Sequence, residues 1–125
     1  MNFPANLRYT KDHEWIKLDG NVATIGITDY AQRELGDIVY VEVETIGKPL
    51  KAGDVFGTVE AVKTVSDLFL PVDGTINELN AALANSPESV NNDPYGEGWM
   101  IKMTVNNPDD VVALMDAAAY EAAVA

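Results

Sequence analysis

Lys63 is the residue in this chain whose setting best prepares it for covalent chemistry. Val59, Ala61 and Val62 lead into it, and Val65, Leu68, Phe69 and Leu70 lead away, with Glu60 and Asp67 flanking it on either side. Lys11, Lys17, Lys48, Lys51 and Lys102 have no such apolar sequence on both sides. Both arms are rich in the β-branched and aromatic residues that favour a pleated, half-buried surface, so the segment predicts two strands with the lysine at their turn. An amine displayed there can be acylated and its cargo held clear of the body. The same pattern also describes a solvated charge that blunts strand-edge pairing. A lysine amine is almost wholly protonated at neutral pH. Selective acylation therefore requires an enzyme that recognises the hairpin and withdraws the proton.

Little else in the chain could build an active site. His13 is the single histidine and there is no cysteine, so a two-histidine metal triad, a thiolate nucleophile and a cysteine metal site are all excluded. No serine sits in a nucleophile-elbow pattern. Gly96-Glu-Gly98 is too short for a dinucleotide fingerprint, and a phosphate-binding Walker loop is absent. The stretch from Asn91 to Glu97 has the composition of a calcium loop with the wrong spacing. His13 reads as a structural residue beside Trp15, and both Trp15 and Trp99 as large core residues.

The elements that must position Lys63 are mostly strands. Glu14–Leu18 and Val22–Ile27 flank Asp19-Gly20-Asn21, a hairpin turn signal. A short helix is expected from Asp29 to Leu35, with Thr28 as N-cap and Gly36 ending it in the left-handed conformation. Ile38–Glu44 alternates with period two, as a strand does. Thr75–Leu79 and Trp99–Val105 read as further strands, and 80–98 as loop with one helical turn. A C-terminal helix over about 108–123 follows, begun by Asn107 and Pro108, with Val111, Leu114, Met115 and Ala118 packed on the sheets. The chain of 125 residues reads as one mainly β domain, a sandwich or small barrel.

Twenty acids against eight bases give a formal charge of −12. That excludes nucleic acid as a partner, since phosphate binding depends on Lys and Arg, and argues against anionic membranes. It suits solubility, and equally long-range attraction to basic surfaces on partner enzymes. With no apolar run long enough to span a bilayer and no visible leader, the sequence points to a cytoplasmic protein.

Gly47 stands sixteen residues before Lys63, Glu60 three before it, and Gly74 eleven after it. This set resembles the lipoyl-lysine signature. Leu7-Arg-Tyr-Thr-Lys-Asp-His-Glu-Trp15, Val22-Ala-Thr-Ile-Gly-Ile-Thr28, Ala31-Gln32, Leu35-Gly-Asp37 and Val39-Tyr-Val-Glu42 extend the likeness. Glu60-Ala-Val-Lys63, Ser66-Asp67, Asn92-Asp-Pro-Tyr95 and Gly98-Trp-Met-Ile101 complete it. In order and spacing, from about Leu7 to Tyr120, the chain resembles the glycine cleavage system H proteins. Thr64, where the family more often has alanine, and Asp12, at a variable position, are mild departures.

The resemblance implies a barrel-sandwich hybrid with helical additions and a carrier subunit, not an enzyme. It implies lipoate in amide linkage to Lys63, with Gly47, Glu60 and Gly74 recognised by the lipoyl-attaching enzymes. It implies partners: a pyridoxal-phosphate glycine decarboxylase (P protein), a tetrahydrofolate-dependent aminomethyltransferase (T protein) and dihydrolipoamide dehydrogenase (L protein). Glu14 and Asp67, joined by Asp12, match acidic positions of a cleft that shelters the aminomethyl-loaded arm. Three alternatives stay open at this point. A biotin carboxyl carrier is disfavoured by Val62 and Thr64 around the lysine. An unmodified interaction module is another. A lipoyl donor to other carriers, or a lipoyl carrier of a sulfur pathway, is the third.

Overall fold

The computed structural model describes residues 1–125. Nine strands form two antiparallel sheets. The strands are β1 (Arg8–Tyr9), β2 (Glu14–Asp19), β3 (Val22–Ile27), β4 (Ile38–Glu42), β5 (Pro49–Leu50), β6 (Val55–Ala61), β7 (Val65–Phe69), β8 (Gly74–Leu79) and β9 (Ile101–Val105). One sheet runs β1-β2-β3-β9-β8-β5 and the other β4-β6-β7. Helix α1 (Asp29–Leu35) joins β3 to β4, and short helical turns at Ala81–Ala84 and α2 (Ser89–Asn92) fill the connection before β9. The expected mainly β architecture is what forms.

The two sheets close over one apolar core. Ile16, Ile25 and Met103 from the larger sheet meet Phe56, Val59 and Leu68 from the smaller, all at most 2% exposed. Each such side chain contributes roughly 1.5–3 kcal/mol by leaving water. A second cluster of Leu7, Tyr9, Trp15 and Tyr120 lies under the chain's C-terminal end. No helix is long and apolar enough to cross a membrane.

Local sequence chemistry explains α1. Thr28 accepts the Ala31 N–H at 3.1 Å, and Asp29 sits in the first turn. Gly36 ends the helix at φ +80°, ψ −155°, outside the expected left-handed helical region and in backbone space essentially reserved for glycine.

Three expectations need correction. The period-two reading of Ile38–Glu44 fails at a bulge between Ile38 and Tyr40, which leaves Val39 and Tyr40 both exposed and buries Ile38 and Val41. The C-terminal segment is not one helix but two, α3 (Asp109–Val112) and α4 (Ala117–Ala123). Met115 leaves the helical path to exchange backbone hydrogen bonds with Tyr9 at 2.9 and 3.2 Å, and Asp116 then caps α4. Ala118 is exposed, and Tyr120 is the anchor instead. Finally, Trp99 is only partly buried, its ring covered by the Lys102 ammonium at 5.0 Å, whereas Trp15 is a true core residue.

Candidate functional site

Strands β6 and β7 form the hairpin read from the sequence, paired from Val55↔Phe69 to Glu60↔Val65. Val62, Lys63 and Thr64 make its tip, closed by the Ala61 N–H donating to Thr64 O at 2.7 Å. Lys63 is exposed, and the tip is tied to the body where the Val62 N–H donates to Asp37 O at 3.0 Å. The lysine stem leans on the end of α1, its Cε 3.5 Å from where a Cβ on Gly36 would stand. Asn91 fixes that corner. Its amide donates to Gly36 O at 2.8 Å and Gln32 Oε1 at 3.0 Å, while its oxygen accepts the Ile38 N–H at 2.9 Å.

One residue before Gly36, Leu35 belongs to the wall of a cleft of about 320 Å³. The cleft lies between α1, the edge of β7 and the loop from β1 to β2. Ile27, Leu35, Val59 and Leu68 give it an apolar floor, and Asp12, Glu14, Glu34 and Asp67 line it with carboxyl groups. The three acids expected in a cleft thus share one cavity.

Glu14 is the unusual member. It is 2% exposed and bridges the sheets. Its carboxyl oxygens meet the Phe69 N–H from the open edge of β7 at 3.1 Å and the Thr10 hydroxyl at 3.1 Å. Thr10 in turn accepts the Glu14 N–H at 3.2 Å, so one threonine clamps both ends of this residue. Burial pushes the Glu14 carboxyl up to about 8, against the lowering effect of those two hydrogen bonds. Burial thus favours the neutral acid of Glu14 near neutral pH.

His13 packs beside Tyr30 and Tyr120, with ring centroids 4.8 and 5.8 Å away, not beside Trp15 as expected. Tyr120 is fully buried, and burial pushes its phenol up to about 12. Thr10, Tyr30, Asn91 and Tyr120 had no signal as site residues in the sequence beyond the doubled asparagine and the tyrosine's isolation in an alanine-rich helix.

The other predicted residues stand elsewhere. Glu60 is exposed on the hairpin between Tyr40 and Val65 in cross-strand register. Tyr40, Val62 and Val65 are 49%, 76% and 62% exposed, an apolar surround beside acids. A hydrogen bond with Glu44, with the charges of Glu44 and Glu60, raises the Glu42 carboxyl on β4. Gly74, the first residue of β8, pairs with Val105 of β9 and does not owe its identity to turn conformation. A Cβ there would overlap Thr104 O and the Met103 methyl. Gly47 turns at φ +82° and donates its N–H to Ile76 O at 2.7 Å. Neither glycine borders the cleft.

The glycine cleavage H-protein family profile matches residues 7–125. The chain belongs to this family. It is 60% identical over 124 residues to the glycine cleavage system H protein of Bacteroides fragilis, covering 99% of this chain and 98% of that relative. It is 64% identical over 122 residues to the H protein of Chlorobium phaeovibrioides, covering 96% and 95%. Its fold is similar to the crystal structure of a glycine cleavage system H protein from Mycobacterium marinum, with a TM-score of 0.88 at 37% identity over 98% of each chain. The fold is thus a lipoyl-domain-like barrel-sandwich hybrid. The family's role is that of the lipoyl carrier in glycine cleavage, a subunit that carries and does not catalyse. Membership implies interaction with the other components of that system.

Proposed function

We propose that residues 1–125 form one carrier domain that bears lipoate on Lys63 Nζ. In this reading the domain moves the aminomethyl group of glycine from the decarboxylase to the aminomethyltransferase. It then offers the emptied arm to dihydrolipoamide dehydrogenase. The single observation that carries this reading is the adjacency of an exposed tip lysine to an acid-lined apolar cleft: Lys63 leans on Gly36, and its neighbour Leu35 lines the cleft. The residues fit the group: the floor is apolar where a carbon-sulfur ring would lie, and the carboxyls stand where a cationic cargo would.

The lipoyl disulfide supplies the acceptor for the cargo. This chain's own residues bind, orient and shelter. The Ala61–Thr64 turn holds the Lys63 amine outward for the attaching enzyme, which reads Glu60 on the exposed face and the shape set by Gly47 and Gly74. Asp12 and Asp67 provide anionic partners for an ammonium. Glu14, whose neutral form burial favours, releases its proton to solvent when an ammonium arrives, because the nearby cation favours the charged carboxylate. Ile27, Leu35, Val59 and Leu68 limit water around the cargo.

Peptide mass spectrometry across Glu60–Asp67 of protein from its native host tests the attachment. A lipoyl increment on Lys63 is expected. A biotin increment there, or a lipoyl group on another lysine, refutes the reading.

A further inference from the structure

Asp12, His13 and Glu14 are consecutive, yet all three line the cleft. Extended backbone sends successive side chains to opposite faces, so a plain strand could not present them together. His13 breaks that alternation with φ of +67°, a left-handed turn that is unfavourable for a residue with a Cβ. Three hydrogen bonds hold it there. The His13 N–H donates to Thr10 O at 3.1 Å, the Thr28 N–H donates to His13 O at 3.0 Å, and Nδ1 lies 2.8 Å from the Tyr120 hydroxyl.

Burial sets the direction of the last bond. Thr28 is 0% exposed, and its Oγ1 already accepts the Ala31 N–H. The hydrogen of that hydroxyl has the Tyr120 oxygen, at 2.8 Å, as its partner. A buried donor left unpaired is costly, so Thr28 donates to Tyr120 and Tyr120 donates to His13 Nδ1. The imidazole is thereby fixed as an acceptor at Nδ1 with its proton on Nε2. The same Thr28 hydroxyl caps α1, the opposite wall of the cleft. Both walls meet at one phenol.

We infer that Tyr120 is a positioning residue for the arm cleft: its hydroxyl, oriented by Thr28, pins His13 in the left-handed turn that brings Asp12 and Glu14 to one cavity. This role rests on the carrier reading above. None of the three linked residues belongs to the hairpin, so attachment at Lys63 is independent of them.

Tyr120→Phe removes one oxygen and keeps the ring stacked on Tyr9, 4.8 Å away. The assay follows spontaneous loss of the aminomethyl cargo from isolated loaded protein, with the aminomethyltransferase absent and the same cargo on free lipoamide as reference. Tyr120→Phe loses both bonds of the hydroxyl and speeds the loss about fivefold, the ratio set by the one that pins His13, while enzymatic lipoylation of Lys63 is unchanged. Ile76→Val, buried in the larger sheet away from the cleft, controls for general loosening and decays as wild type. Imidazole ¹⁵N spectra of unlipoylated protein show the Nε2–H form alone in wild type and a tautomer mixture in Tyr120→Phe. Wild-type decay in Tyr120→Phe overturns the inference. So does a neutral wild-type His13 carrying its proton on Nδ1, a result that needs no variant to fold. Wild-type protein that loses cargo as fast as free lipoamide refutes the cleft reading itself, and the spectra then decide the Tyr120–His13 link separately.

Discussion

Glu14→Gln should make this protein more stable in alkali and no better, or slightly worse, in acid. Gln keeps the shape of the buried carboxyl and cannot ionise. In the wild type the folded-state carboxyl is raised from 4.5 to about 8 by burial. Between those values the native state keeps a proton that the unfolded chain has released. Stability from this group is therefore fully present below about pH 4.5 and declines by about 1.4 kcal/mol per unit as pH rises through about 8. The whole effect is on the order of 4–5 kcal/mol, with little solvent screening to discount because Glu14 is 2% exposed. Gln has a single side-chain oxygen for the Phe69 N–H and the Thr10 hydroxyl, so the variant loses about 1 kcal/mol at every pH. The net gain near pH 9 is roughly 3–4 kcal/mol, on the order of 10 °C in melting temperature for a domain of this size. Thermal or urea unfolding of both proteins at about pH 5, 7 and 9 measures the difference, and the repulsion among the other acids cancels in it. Wild type and variant running parallel across that range would refute a neutral Glu14.

Lys63→Arg should keep the fold and lose the lipoyl adduct by intact mass; normal lipoylation of that variant rules out the attachment site. Asp67→Ala, at an exposed residue, should leave unfolding stability within about 0.5 kcal/mol of wild type and speed loss of the aminomethyl cargo from isolated loaded protein. Glu14→Ala is the poorer probe of the same idea, since it strands the Phe69 N–H and the Thr10 hydroxyl. Gly74→Ala should cost about 1–3 kcal/mol by overpacking against Thr104 and Met103, read as a fall in urea midpoint; an unchanged midpoint means that β9 yields freely. Affinity for the decarboxylase should fall as salt rises, because salt screens the attraction of a chain with net charge −12 to a basic partner surface. A flat salt response would leave the charge a solubility device.

Where structure is decided locally, the sequence is easy to read. The Val22–Ile27 strand, the Thr28 cap and the lysine hairpin each follow from neighbours within a few positions. The bulge at Val39 is invisible because register with β6 decides it. The break at Met115 is set by pairing with Tyr9, and no helical propensity near Met115 announces it. The cleft acids are legible by resemblance, but the burial that favours the neutral Glu14, like its bond to the Phe69 N–H 55 positions away, comes from tertiary packing. Tyr120 and His13, 107 positions apart, meet through tertiary packing alone, and a lone tyrosine among alanines reads as no more than a core anchor.

The C-terminal segment that carries Met115 and Tyr120 gives the molecule an order in time. A chain is made from its first residue onward, so all nine strands, ending at Val105, emerge before any of α3 or α4 exists. The hairpin needs only contacts close in sequence, which form early. The wall behind the cleft waits for α4 to return to β1. The segment up to Val105 encodes every strand and the lysine hairpin, while Tyr120, which reaches His13, lies beyond it. For this protein, being ready for attachment and being ready to protect are separate events, and the segment after Val105 marks the second.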